Sequence, residues 1–243
     1  MTAAVVTGGA RGVGRAIALR LLDEGRPVAV LDRDENACQA LESELGGRGD
    51  IQVLRCDVAD EEQVSASVQM AATRFGGLMG LVNNAGVSNP VSGPVEELTL
   101  SDWYHWLDSH LTGAFLMTRA CAPALRASGG AIVNIGSTRA LQSEPDCEAY
   151  AAAKGGLASM THALAVSLGP DVRVNCVHPG WIDTHSDYDP DARDHEQHPA
   201  GRVGQPGDIA ALVAWLLGPE AGFITGQSLV ADGGMTRRML YAD

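Results

Sequence analysis

Short apolar runs, many of them β-branched, alternate along the chain with longer stretches whose apolar residues recur every three or four positions. AAVVT (3–7) precedes a helical stretch near 14–24, and PVAVLD (27–32) precedes one near 35–45. IQVLRCD (51–57) leads into 61–75, and GLVNNAG (80–86) into a long stretch at 101–125. GAIVNIGS (130–137) comes before 148–168, VRVNCV (172–177) before 206–217, and SLVAD (228–232) closes the series. Seven strands interleaved with six helices predict a doubly wound α/β fold, a seven-stranded parallel sheet with helices on both faces. The strands are apolar throughout rather than alternating, as strands covered on both sides should be.

No internal repeat or low-complexity linker divides the sequence, so residues 1–243 are expected to form a single domain. The stretch from Thr184 to Arg202, rich in Asp, His and Pro, follows the sixth strand. It falls at the carboxyl edge of the sheet, where ligands bind, and is expected to be a substrate lid. Within it HEQH (195–198) lacks the HExxH spacing that puts two histidines on one helix face, so it is expected to be a solvated loop and not a metal site.

Composition narrows the partners. A net charge of −13 offers no basic footprint for nucleic acid. No apolar run approaches the roughly 18 residues of a membrane span, and the opening strand is too short and lacks the basic flank of a signal peptide. Cysteines at 38, 56, 121, 147 and 176 are odd in number and contain no CxxC pair. That argues against a disulfide framework or a zinc site and for a reducing cytoplasm.

TGGARGVG (7–14) runs from the first strand into the first helix. Gly8 and Gly12 allow a tight turn, and Gly14 lets helix approach sheet. Arg11 and Val13 complete a loop whose helix terminus faces a pyrophosphate. This is a Rossmann-type dinucleotide site. Asp32 ends the second strand, 18 residues after Gly14. A carboxylate there accepts from the ribose hydroxyls of NAD and repels the 2′-phosphate of NADP. NAD is the expected cofactor, with Arg11 and Arg33 the residues that would receive a phosphate if it were NADP.

Of the 17 basic side chains only Lys154 is a lysine, four residues after Tyr150. On a helix that spacing stacks the two about 6 Å apart. A free phenol, with its pKa near 10, is a poor base at pH 7, and a neighbouring cation favours the phenolate. Such a tyrosine accepts a hydroxyl proton as hydride leaves carbon, or returns it in reduction.

With these residues together, the chain resembles the short-chain dehydrogenase/reductase family, in its compact single-domain branch, over nearly its whole length. TGxxxGxG is met by Thr7–Gly14, DV by Asp57–Val58, NNAG by Asn83–Gly86 and YxxxK by Tyr150 and Lys154, with Ser137 ahead of them. PGxIxT is met by Pro179, Gly180, Ile182 and Thr184, and ITGQSLVADGG matches the carboxyl-terminal signature. The resemblance implies that Tyr150 is general acid/base, that Lys154 assists it and holds the nicotinamide ribose, and that Ser137 stabilises the substrate oxygen. It implies further that Asp57 and Val58 contact adenine, that Asn84, Ala85 and Gly86 line the adenosine end, and that Ile182 and Thr184 face the carboxamide.

One position departs from the family. An asparagine usual in its central helix, thought to anchor a proton-relay water, is replaced here by His110. Histidine titrates near neutrality and can donate and accept, so it is expected to relay in place of asparagine; a tolerated packing variant and impaired catalysis are the alternatives.

The expected activity is interconversion of a secondary alcohol and its ketone. Arg139, Gln142 and Glu144 between Ser137 and Tyr150 suit a sugar, a polyol or a hydroxy acid, with Trp181 and Tyr188 as an apolar wall. The alternatives are an NADPH-dependent 3-oxoacyl or ketone reductase and a catalytically weak dinucleotide binder. Relatives of this kind are mostly homotetramers or homodimers, and the tail from Thr236, with Met239, Leu240 and Tyr241, is expected to pack on a neighbouring subunit.

Overall fold

A computed structural model describes residues 2–45, 47–184 and 188–239. Its strands are β1 (Ala3–Thr7), β2 (Val28–Asp32), β3 (Ile51–Arg55), β4 (Leu78–Asn83), β5 (Ala131–Ile135), β6 (Arg173–Pro179) and β7 (Ser228–Ala231). They form one sheet in the order β3-β2-β1-β4-β5-β6-β7, and every pairing is parallel. The chain starts at β1, winds outward to β3, then returns beside β1 as β4. The reversal between β1 and β4 opens the crevice in which such sheets bind ligands.

The helices are α1 (Gly12–Asp23), α2 (Glu35–Leu45), α3 (Glu61–Phe75), α4 (Leu100–Leu107), α5 (Gly113–Ser128), α6 (Glu148–Leu168), α7 (Ala192–Glu196) and α8 (Pro206–Leu217). Alternate strand residues face opposite layers. Ala4, Val6, Val30, Val82 and Val133 meet Ile17, Leu21, Leu41, Ile209 and Val213 of α1, α2 and α8. Val5, Leu31, Leu81 and Ile132 meet Val64, Val68, Met117, Cys121 and Leu125 of α3 and α5. Burying one such leucine or isoleucine contributes about 1.5–3 kcal/mol, so the two layers hold the sheet without help from disulfides. All five cysteines are free and buried. None of the described helices is long and apolar enough to cross a membrane.

Three elements differ from the pattern-based expectation. The first helix starts at Gly12, two residues before the expected Gly14. The expected helix at 101–125 is α4 and α5 joined through a π turn at Asp108–Thr112, which contains His110. A π turn holds one extra residue and turns the following side chains by about a quarter-turn, a shift that residue pattern alone does not disclose. The third is α7, in a stretch read as loop. Asp191 caps it by accepting from the Arg193 and Asp194 amides, and Asp194 returns a bond to the Asp191 amide.

Candidate active site

One cleft of about 920 Å³ lies across the carboxyl ends of the strands. At one end the glycine loop turns tightly, with Gly8 at φ +60° and Gly12 at φ +53°. Gly14 does not line the cleft. Its role is packing, since a Cβ there would stand 2.2 Å from the Gly8 carbonyl oxygen. No side chain caps α1, and no acidic residue lies in its first turn. Gly12 and Val13 line the cleft beside Gly8 and Arg11, so the amide end of α1 is presented to an anion there.

Thr7 ties β1 to β4 at the reversal. Its hydroxyl donates to the Val82 carbonyl and accepts from the Asn84 and Ala85 amides at 3.0 Å each. The Asn84 side chain donates back to the carbonyls of Thr7 and Gly8, both at 3.0 Å. Asn83 points the other way, into a buried chain that runs through Asn134 to Thr161 of α6. Asp32 ends β2 with its carboxylate accepting from the Ala10 and Asp34 amides, both at 3.1 Å. Asp57, Val58, Ala85 and Gly86 continue this wall.

At the other end, α6 carries Tyr150 and, one turn on, Lys154. The lysine is only 4% exposed, yet it is not orphaned. Its Nζ donates to the Ile135 carbonyl at 2.8 Å and lies 5.5 Å from the centroid of the Tyr150 ring. Ser137, just past β5, uses its Oγ to accept from the Arg139 amide at 3.2 Å. Its own O–H remains available as a donor to a ligand. Behind it, His178 holds the Ser137 carbonyl through Nδ1 at 2.9 Å, and burial pushes the His178 pKa below 6.5.

His110 is buried, its ring edge-on to that of Tyr150 with centroids 5.2 Å apart. Burial first, and the Lys154 cation second, hold its pKa well below 6.5, and the Val87 backbone opposes the shift only in part. The expectation that His110 titrates near neutrality is corrected: desolvation keeps the imidazole neutral at pH 7. A neutral ring still has one donor and one acceptor nitrogen.

Arg139, Gln142, Glu144 and Trp181 all line the cleft, as do Pro179, Gly180, Ile182 and Thr184. Arg139 is engaged by Glu144 at 2.6 Å. Trp181 stacks on Tyr188 at 6.1 Å and meets the His198 ring at 6.2 Å. Here the solvated-loop reading of HEQH is corrected in part: Glu196 and Gln197 are exposed, but His195 and Glu196 belong to α7 and His198 is buried. His198 is 2% exposed with Nδ1 against the Asp194 carbonyl, and His195 Nδ1 accepts from the Val203 amide. Trp181 and the tail cover this stretch, and neither contact can be read from local polarity. Among the described residues no group of three or more His, Cys, Asp or Glu could hold a metal ion.

Gln197 and Met235 also line the cleft and were not foreseen. Only their positions, inside the expected lid and after the last glycine pair, hint at it. The tail lies back on the 188–202 stretch of its own chain. Gly233 and Gly234 pack against His198 and Pro199, and Arg238 donates to the Glu196 carbonyl. Met239 is exposed, and Leu240 and Tyr241 lie outside the described residues.

A glycine loop at a helix terminus, a carboxylate at the end of β2 and a Ser–Tyr–Lys set in one cleft define a dinucleotide-dependent oxidoreductase. The comparisons with known proteins agree. The family model described as Enoyl-(Acyl carrier protein) reductase matches residues 8–236. An uncharacterized oxidoreductase of Thermotoga maritima is 46% identical, over 99% of this chain and 98% of its own. A 3-alpha-(or 20-beta)-hydroxysteroid dehydrogenase of Mycobacterium tuberculosis is 36% identical, over 99% of this chain and 91% of its own. The solved apo SCOR enzyme of Clostridium thermocellum superposes with a TM-score of 0.90 at 39% identity, covering 99% of this chain and 95% of that one. The chain belongs to the short-chain dehydrogenase/reductase family.

Proposed function

We propose that the protein interconverts a secondary alcohol and its ketone, with NAD(H) as cofactor and Tyr150 as general acid/base. The observation that carries this reading is the buried Lys154, anchored on the Ile135 carbonyl and set against Tyr150 in the cleft that also holds Ser137. The residues present fit a nicotinamide dinucleotide. The uncapped start of α1 suits its pyrophosphate, Asp32 retains lone pairs for ribose hydroxyls, and Asp57 and Val58 flank the adenine end. When bound, its nicotinamide accepts or supplies hydride at the substrate carbon.

The remaining work falls to side chains of this chain. Tyr150 takes the hydroxyl proton during oxidation and returns it during reduction. Lys154 stabilises the phenolate and donates to the ribose, and Ser137 donates to the substrate oxygen as charge develops there. Lysine is kept at this position because its compact ammonium reaches one point, whereas a guanidinium is a planar fork. His110 is a positioning residue, its neutral ring packed edge-on against Tyr150. The stretch from Thr184 to Arg202, of which residues 185–187 lie outside those described, acts as lid.

Polar Arg139, Gln142 and Glu144 opposite the Trp181–Tyr188 stack favour a hydroxylated, partly apolar substrate: a sugar, polyol, hydroxy acid or ring alcohol. The hydroxysteroid named for the Mycobacterium relative is one such ring alcohol. Free buried cysteines favour the cytoplasm, and a homotetramer or homodimer is the expected assembly. A second reading, NADPH-dependent reduction of a ketone or 3-oxoacyl group, is favoured by one observation: Arg33 lines the cleft, exposed, next to Asp32. Titration with NADH and NADPH by nicotinamide fluorescence separates the two. Tighter NADH supports the first reading, to be followed by oxidation of a panel of ring alcohols, sugars and hydroxy acids with NAD. Tighter NADPH replaces it with the second.

A further inference from the structure

Where β2 meets α2 the chain places four charged residues in a row, Asp32, Arg33, Asp34 and Glu35, and Arg11 reaches them from the glycine loop. Arg11 and Asp32 both line the cleft. The Arg11 guanidinium, however, is paired outward, its Nη2 2.8 Å from Oδ2 of Asp34. Asp34 is fixed by two backbone bonds. Its amide donates to Asp32 at 3.1 Å, and its Oδ1 accepts from the Ala37 amide at 2.9 Å at the start of α2. The Ala37 bond foremost, with Arg11 adding to it, holds the Asp34 carboxyl below the usual carboxylate range, so it is charged at neutral pH.

We propose that Asp34 is a cofactor-specificity residue: its carboxylate holds Arg11 away from the space beside Asp32 where a 2′-phosphate would sit, and so weakens NADPH. The inference rests on the reading that this cleft takes a nicotinamide dinucleotide through Asp32. Two effects act in the same direction. An arginine must leave its partner before it can meet a phosphate, and the uncompensated Asp34 charge would then face a dianion. Because the pair is exposed to water, each effect is modest, and together they set a bias of about fivefold in affinity.

The test compares NADH and NADPH affinity, by nicotinamide fluorescence, across the parent, Asp34→Asn, Asp34→Ser, Arg11→Ala and the Asp34→Asn/Arg11→Ala double variant. Asparagine and serine both cap helices well, so the Ala37 bond and the fold are kept. Asp34→Asn is expected to tighten NADPH about fivefold and leave NADH within about twofold, and the double variant is expected to lose the gain. Unchanged NADPH affinity in both Asp34 variants overturns the proposal, as does a gain that survives Arg11→Ala. An equal gain in Glu35→Gln, which removes a neighbouring charge without touching Arg11, overturns it too. Parent protein that binds NADPH more tightly than NADH refutes the NAD reading of Asp32 instead, and the Arg11 comparison still reports on Asp34.

Discussion

Replacing Thr7 with valine changes one buried atom group and nothing in volume. The Thr7 side chain is 1% exposed, and its hydroxyl is saturated, with one bond donated to Val82 and two accepted from the Asn84 and Ala85 amides. Valine strips both amides of their acceptor in a part-buried turn. Each orphaned donor costs about 1–3 kcal/mol, so after partial relaxation the loss is about 2–4 kcal/mol. With a urea dependence near the upper end of about 1–3 kcal/mol/M, the unfolding midpoint drops by about 1 M. Thr7→Ser keeps every hydrogen bond and loses one methyl, about 1 kcal/mol. The assay is urea unfolding followed by circular dichroism at fixed protein concentration, because assembly shifts apparent stability. NADH titration runs beside it, since Asn84 and Ala85 line the cleft and a loosened turn weakens binding. A Thr7→Val midpoint within about 0.3 M of the parent, or a serine variant as damaged as the valine one, refutes the reasoning.

Tyr150→Phe and Lys154→Met are each expected to lower kcat by about 10²–10⁴-fold. Tyr150→Phe should leave NADH binding nearly intact, which separates proton transfer from cofactor affinity in the same titration. Gly14→Ala drives a Cβ to 2.2 Å from the Gly8 carbonyl oxygen, so soluble protein should lose dinucleotide binding, read as absence of NADH fluorescence enhancement. Folding depresses the pKa of His110 and His178 below 6.5, so the unfolded chain binds more protons and stability falls as pH drops through 6.5. His110→Asn should flatten that fall between about pH 6.5 and 5, measured as midpoint against pH. Because the ring is already neutral at higher pH, the pH–rate profiles of parent and variant should superimpose above about pH 7.

The parts of the site that were legible in the sequence are those whose chemistry imposes a spacing. Tyr150 and Lys154 must be one helical turn apart, a glycine loop must join a strand to a helix, and Asp32 must fall where the second strand ends. The five inner strands were legible because burial on both faces leaves a nearly continuous apolar run. β3 and β7, part-buried at the sheet edges, were legible from short apolar runs before a helix or at the end of the chain. What escaped depends on contacts distant in the chain. Arg11 finds Asp34 only once β1 and β2 lie side by side, and His198 is buried only because Trp181 and the tail cover it. The charge state of His110 follows from its place against Gly86 and Tyr150, which its titration in free solution does not anticipate. The π turn leaves no mark in residue pattern, since one extra residue in a long amphipathic run is invisible to period counting.

The contact between the tail and the 188–202 stretch joins two segments that both reach the cleft. Gln197 reaches the cleft from one and Met235 from the other. Their seam is tight: Gly233 and Gly234 sit at φ +64° and +87°, and a Cβ on either would stand 3.2 Å from His198 or 3.0 Å from Pro199, so a side chain there would strain the backbone and press its neighbour. The Ala200 amide binds the Gly233 carbonyl at 2.9 Å across it. The two stretches therefore behave as a matched pair of castings. A foreign 188–202 stretch would meet residues 233–238 made to a different fit, while the glycine loop and Asp32, at the far end of the cleft, take no part in that seam. Change at His198 or Pro199 thus obliges change at Gly233 or Gly234, its mate across the seam.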